Sequence, residues 1–492
     1  MPQRERDVKP AVRRQEDGTI ILKGDQRSPE QRMNGTEAGP TVLAMNPVTL
    51  TSLEIVRPGE ARYDEVRPAW NLTIDQRPAA IAVPRDADQV VAAVLYAKRE
   101  GLRVAAQGTG HNASPLGDLS DTLLIKTHEM RGVEIDAAAR IARVEAGAQW
   151  GDVVGPAGEH GLAALAGSSH DVGVVGYSLG GGLSWLARRY GLGANRILAA
   201  DVVTADGALV RADRSQNSDL YWAIRGGGGA FGVITALELE LIDLPTVYAG
   251  AAFFPIERAS EALHAWREMT ANVDDRTTSV GRILRVPDLP DIPDFVRAKD
   301  FAMIEVIHVG DQASGDEVVK SLRALEPAID TFGIIPTEAL IHLHMDPPGP
   351  VPGNGEHHVA MYELPAEAID AFVAANGADS GSQILTAEIR HIGGAVARPD
   401  ASHGAAAKFD AEYISFAASL VATPEMAAKA EEDLAAMDAA MEPFGGAPKY
   451  LNFVEKSAGA DSFFDKDTLA RLRQVKATVD PDGIFRSNHP ID

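Results

Sequence analysis

The chain has 492 residues, 45% of them apolar and 24% charged, enough for two or three domains that each bury a core. Seventy Asp and Glu against 46 Lys and Arg leave a net charge of −24, which disfavours a nucleic-acid surface or an anionic membrane as partner. There is no cysteine, so disulfide, thiolate and Cys–zinc chemistry are excluded.

Residues 1–45 are polar, mixed in charge and weakly periodic, and predict a flexible N-terminal extension. They lack the apolar core of a secretory signal, and no run of 18 apolar residues follows, so neither export nor a transmembrane helix is expected and the predicted location is cytoplasmic. Asn34, Asn71 and Asn112 begin glycosylation sequons, read as chance matches. From Pro78 the pattern sharpens: a buried strand to Val83, a helix opening at Pro84–Asp88 and ending at Gly101, and a strand over Leu102–Ala106. Strands are predicted at Thr122–Lys126 and Ile141–Glu145, and a helix from Trp150 to His160. Leu183–Tyr190 reads as a helix stopped by Gly191. Asp206-Gly207 suits a hairpin turn between Ala200–Thr204 and Leu209–Arg211. Ser218 is the expected cap of a helix to Ile224, and Phe231–Leu241 reads as a long strand. Pro245 marks a boundary; beyond it strands alternate with helices such as Ala259–Ala271 and Pro424–Met441. A helix near 465–478 and a turn at Asp480–Gly483 close the chain.

Two glycine-rich loops carry the chemistry. The first is Gln107-Gly108-Thr109-Gly110-His111-Asn112, and the second runs from Gly167 to Gly182 through Ser168, Ser169, Val172, Gly173, Gly176, Ser178 and Gly181. Glycine lets backbone N–H groups approach a phosphate closely, so two such loops suggest a cradle for a large anionic cofactor. Gly227–Gly232 formally matches the dinucleotide motif G-x-G-x-x-G, but a helix precedes it and a strand follows, the reverse of the order that motif needs. His342-Leu-His344 would offer two metal ligands from one strand face, yet no third ligand lies nearby in sequence and no metal is expected. Glu388, Arg390 and His391, with His357 and His358, are candidate strand residues over a substrate pocket, and Tyr362 and Tyr413 candidate supports.

At the two loops and at Tyr450-Leu-Asn-Phe453 the chain resembles the berberine-bridge-enzyme-like oxidases of the vanillyl-alcohol-oxidase superfamily. The resemblance covers roughly residues 75–245 and 445–492. It implies an α+β protein with a discontinuous PCMH-type FAD-binding domain of two α/β subdomains and a substrate domain of antiparallel sheet covered by helices. The implied bounds are 46–245 for FAD, 246–445 for substrate, and 446–492 returning to the FAD domain. It implies FAD held covalently through His111, with contacts from Gln107–Asn112, Gly117, the second loop, Gly232, Ile234 and Asn452. It implies Tyr450 as the general base, although a phenol needs help to act at neutral pH. Relatives usually read Arg-Ser-Gly-Gly-His where this chain has Gln107-Gly-Thr-Gly-His111, and Phe453 replaces their second tyrosine. Many also carry a second flavin bond at a cysteine matching Ser169, so a single covalent bond is expected here. The implied activity is hydride transfer from an alcohol, sugar or secondary metabolite to flavin N5, with dioxygen as acceptor. A flavin-dependent monooxygenase-like tailoring enzyme and a flavin-binding protein with little turnover remain alternatives. Substrate identity and oligomeric state stay open.

Overall fold

The computed structural model describes residues 12–14, 20–22 and 53–491, except 291, 293 and 399. The extension read over residues 1–45 lies outside the described residues, apart from two short strands, Val12–Arg14 and Ile20–Leu22, paired antiparallel.

The first layer is a four-stranded sheet. It contains β1 (Glu54–Val56), β2 (Ala80–Val83), β3 (Arg103–Gln107) and β4 (Thr122–Lys126) in the order β1-β2-β4-β3. β4 runs parallel to both β2 and β3, because α1 (Ala87–Glu100) carries the chain back between β2 and β3. α1 forms where local signals agree. The Asp86 carboxylate accepts from the Gln89 N–H, Val90, Val91 and Val94 are buried, and Gly101 ends the helix at φ 69°.

A second, antiparallel sheet joins β5 (Val133–Asp136), β6 (Ile141–Glu145), β7 (Ile197–Val203), β8 (Leu209–Asp213) and β9 (Val233–Glu240) in the order β8-β7-β9-β6-β5. Its core also takes in α2 (Trp150–Gly158), α3 (Val174–Leu179), α4 (Ser218–Ile224) and the late helix α8 (Lys466–Val479). Two expectations need correction here. The helix tied to the second loop is α3, inside it, whereas Leu183–Leu186 is irregular and only Ala187–Tyr190 is helical. α4 is capped at Asn217 in a left-handed conformation, with no side-chain cap bond, so Ser218 is its first helical residue.

The third sheet has eight strands, all antiparallel. It is built from β10 (Thr246–Pro255), β11 (Thr277–Arg285), β12 (Asp300–His308), β13 (Gly353–Met361), β14 (Thr386–His391), β15 (Tyr413–Leu420) and two short strands beside β10. Its order from β10 is β10-β12-β11-β14-β15-β13. α5 (Ala259–Thr270), α6 (Ala366–Asn376) and α7 (Pro424–Met441) pack on one face around Trp266, Phe372 and Met437. The other face meets the first half of the chain, where Trp185 and Leu186 pack against Val247, Val280 and Ile307. The end of the chain returns to the first sheet. The Val104 N–H donates to the Ile484 carbonyl, the Arg486 N–H donates to the Val104 carbonyl, and Phe485 enters the core under α1. Among the described residues no helix is long and apolar enough to cross a membrane.

Candidate active site where two glycine loops meet the chain's end

β3 delivers the first loop. Gln107 is its last, buried residue, and Gly110 turns the chain at φ 88°, where a Cβ would lie 2.0 Å from the Gln107 amide nitrogen. His111 follows, with its ring stacked on Trp70 at 4.2 Å and 20°. Its Nδ1 lies 2.8 Å from the Thr109 hydroxyl and its Nε2 lies 3.4 Å from a carboxylate oxygen of Asp171. Asp171 belongs to the second loop, so the loops meet at this histidine. The Trp70 indole N–H and the Ser169 hydroxyl donate to the same carboxylate. Burial pushes the Asp171 carboxyl up, but the hydrogen bonds from His111, Trp70 and Ser169 outweigh it and hold the pKa at about 2.

The second loop also meets the last segment. The Asn452 amide donates to the Tyr177 carbonyl at 2.9 Å and covers Gly180 so closely that a Cβ there would fall 1.7 Å from its oxygen. Gly181, at φ 123°, lies against the ring of Tyr450. Tyr450 is 3% exposed, its N–H donates to His358 Nε2, and its ring makes edge contacts with Phe409 and Phe453. Burial pushes its phenol well up, and the Leu183 and Gly182 backbone, the Asn452 side chain and the nearby Arg390 charge oppose that only in part.

Gln107, Thr109, Gly110, His111, Ser169, Gly173, Gly181, Tyr450 and Asn452 are thus brought to one region: a Cβ at Gly173 would lie 3.6 Å from the Thr109 hydroxyl. Gly108 sits beside the Ala146 carbonyl, and Ala146 bonds to Thr235, which links the start of β9 to the loop. Ile234 itself faces the second sheet's core, and Gly232 packs on Val202 and Val203. Ser178 is buried at the end of α3, Gly176 lies within it, and the Val172 carbonyl accepts from Trp150. Asn112 is tied through its carbonyl to Asn488, and Gly117 ends a short turn whose Leu116 carbonyl accepts from Arg486. The Ser168 hydroxyl points instead toward the third sheet's side and donates to Asp346 at 2.7 Å.

Around these loops the amide of Gln107, the Asn112 side-chain oxygen and the Tyr450 hydroxyl are buried with no hydrogen-bond partner among the described residues. An unmade hydrogen bond at a buried polar atom costs about 1–3 kcal/mol. Such a cluster, next to glycines that keep Cβ atoms away, fits a polar, ring-bearing ligand that supplies the missing partners.

Beside it, a cleft is lined by Ser168, Trp185, Arg188, Thr278, Arg390 and His391. Trp185 Nε1 and His391 Nδ1 are likewise without partners among the described residues. Below the cleft lies a buried ionic network. His344 sits between Glu305, 2.8 Å from its Nδ1, and Glu388, 2.9 Å from its Nε2. Arg282 donates to the His344 carbonyl and to Glu305, and Arg390 donates to Glu388 at 2.6 Å. Burial and Arg282 push the imidazole down, but the two glutamates and Asp346 win and raise it from 6.5 to about 9. Burial would raise Glu388, yet Arg390 and His344 take it well below the carboxylate range.

The structure corrects two sequence expectations in this half. His342 and His344 are not on a strand: a 3-10 turn covers Thr337–His342, and His344 is engaged by carboxylates. Tyr362 is exposed; Tyr413, by contrast, supports the cleft as expected, its ring stacked on His391 at 5.1 Å and 18° while its hydroxyl pairs with Thr270. Sequence reasoning passed over Trp70, which precedes every motif, and Asp171, which stands two residues from the quoted Ser169.

Residues 78–213 match the family described as FAD binding domain, and residues 449–492 match berberine and berberine like. (R)-6-hydroxynicotine oxidase of Paenarthrobacter nicotinovorans is 34% identical over 39% of this chain and 42% of its own length. FAD-dependent monooxygenase prx3 of Penicillium roqueforti is 30% identical over 43% of this chain and 42% of its own. The chain therefore spans less than half the length of these curated relatives. Among solved structures, BBE-like 1 of Physcomitrella patens superposes with a TM-score of 0.77 at 20% identity, covering 90% of this chain and 99% of the other. The 6-hydroxy-D-nicotine oxidase of Arthrobacter nicotinovorans gives 0.77 at 24% identity, covering 91% and 100%. The fold is theirs.

Proposed function

We propose that the chain, whose residues 78–213 and 449–492 match the FAD-binding and berberine-like families and whose fold matches BBE-like structures, is an FAD-dependent oxidase of a small organic substrate, with FAD held covalently through His111. The observation that carries the reading is the meeting of the two glycine loops and Tyr450–Asn452 around buried polar atoms that lack partners. When bound, FAD would supply two-electron acceptor chemistry and pass the electrons to dioxygen.

The chain's own residues do the rest. His111 ties the cofactor, the backbone of Gln107–Asn112 and of Gly173–Gly181 approaches it, and Asn452 closes over Gly180. Ser169, where many relatives have a cysteine, donates to Asp171 and leaves a single tether. The cleft of Trp185, Arg390 and His391 receives the substrate, an alcohol, sugar or secondary metabolite, and the indole N–H and the guanidinium bind its acceptor oxygens. Tyr450 stands between loop and cleft, its hydroxyl in no well-formed hydrogen bond among the described residues. Its raised pKa keeps it protonated at rest, so it works as a base only after losing its own proton, with the Leu183 backbone, the Asn452 side chain and Arg390 favouring the phenolate.

The test is an absorption spectrum before and after acid precipitation. A yellow protein whose flavin stays in the pellet, and whose His111→Ala variant releases it, is the expected result. A protein that stays colourless after incubation with FAD overturns the reading. Because one relative is named a monooxygenase, turnover under labelled dioxygen is the deciding assay. An oxidase leaves product unlabelled.

A further inference from the structure

His111 is held on three sides. Trp70 stacks on its face, the Thr109 hydroxyl meets Nδ1 at 2.8 Å, and Asp171 faces Nε2 at 3.4 Å. The Asp171 side chain is only 10% exposed, yet it is ionised, because Trp70 and Ser169 also donate to it. Trp70 therefore touches both members of the pair, the imidazole by its ring and the carboxylate by its N–H.

An ionised carboxylate facing one imidazole nitrogen demands a proton there. The lone pair is then left on the other nitrogen. Thr109, where relatives have glycine, is the group on that side, and its hydroxyl rotates to donate into the lone pair. Asp171 and Thr109 thus agree on one tautomer, Nε2–H with Nδ1 basic. No contact in the structure gives Asp171 a role in substrate binding: it lies under the loops, and the cleft of Trp185, Arg390 and His391 does not include it.

We propose that Asp171 is the positioning residue for attachment of FAD to His111, fixing the proton on Nε2 so that Nδ1 is the nucleophile and then receiving that proton. This rests on the reading that His111 is the tether. In the step, a bond forms between Nδ1 and the flavin 8α-carbon. One C–H bond of the 8α-methyl breaks and its proton passes to water, while the Nε2–H proton leaves through Asp171 to water. The electron pair of the broken C–H bond stays on the ring system, so FAD ends reduced by two electrons and takes up two protons. Dioxygen reoxidises it and becomes hydrogen peroxide. Without the carboxylate both tautomers are populated and the imidazolium formed by attack has no acceptor, so attachment slows while non-covalent binding of FAD stays.

The experiment measures two quantities on the full chain: total bound flavin, by absorbance, and acid-stable flavin, by precipitation and intact mass, over time after adding FAD to protein produced without it. Asp171→Asn is expected to bind FAD as wild type does but to attach it on the order of 10²-fold more slowly. Asp171→Glu, which keeps a carboxylate, should recover part of the rate. Formate added to Asp171→Ala should do the same, which a purely architectural role for Asp171 would not allow. Equal attachment rates in wild type and Asp171→Asn overturn the role of Asp171 alone and leave the tether standing. Release of flavin from acid-treated wild type overturns the tether and this proposal together. Should the Asn variant not accumulate, Asp171→Ala decides: attachment at the wild-type rate, with formate without effect, overturns the proposal.

Discussion

At the scale of single residues, His344 shows how one proton ties a buried site to pH. Folding surrounds it with two carboxylates, so the native chain holds a proton up to about 9 that an unfolded histidine holds only to about 6.5. Its contribution to stability is therefore full below 6.5 and is lost as pH rises through 9. His344→Gln is expected to cost about 3–5 kcal/mol at the low end of that window, because Glu305 and Glu388 are left without their shared counter-charge. The deficit should shrink above pH 9, which urea unfolding at several pH values would show. A constant deficit would mean that the imidazole is neutral throughout. Residues of this kind were the least legible in the sequence. His344 and Glu388 are 44 positions apart, and only the antiparallel register of the third sheet and the turn at Thr337–His342 bring them together. Trp70 is invisible for the same reason: nothing local distinguishes it from any exposed tryptophan until β3 ends beside it.

At the scale of elements, the loop after α3 decides where the aromatic lid sits. Gly181 adopts φ 123°, and a Cβ on it would lie 3.0 Å from the ring of Tyr450. Gly181→Ala therefore meets both backbone strain, about 1–3 kcal/mol, and a displaced Tyr450. The expected outcome is a lower melting temperature together with reduced flavin content; unchanged flavin content would separate this loop from the cofactor site. Elements with local punctuation were readable. Asp86 and Gly101 bracket α1, and Asp206-Gly207 turns β7 into β8 with Gly207 at φ 81°. The segment Leu183–Tyr190 misled because its apolar residues are spaced for a helix. They serve two cores instead: Leu183 and Ala187 face Tyr450 and Ile414, whereas Trp185 and Leu186 face Val247 and Ile307. No single helical face can do both. α3 escaped notice for the opposite reason, since a six-residue helix carrying Gly176 and two adjacent valines has little intrinsic preference and forms only where its neighbours hold it.

At the scale of the molecule, the cofactor-holding half is closed by residues far along the chain. Phe485 is 4% exposed beneath α1, and its neighbours bond to Val104 near the start of β3. Phe485→Ala is expected to cost about 3–5 kcal/mol and to loosen the strand that presents His111. Unfolding followed by fluorescence, with flavin retention in parallel, checks it: a stability loss with no change in flavin would show that β3 holds its loop unaided. The two layers of the first half were legible from periodicity and turns, but the return of the last segment to them was implied only by resemblance, because no local pattern records a contact nearly 400 residues long. That closure has a temporal side. On the ribosome, His111 emerges more than 300 residues before Tyr450, and the whole third sheet is synthesised in between. The nascent chain must therefore wait with its first sheet unfinished, exposing the patch that Phe485 later covers, while the third sheet completes a core of its own. The apolar surface beneath α1 is therefore closed only after translation has passed residue 486.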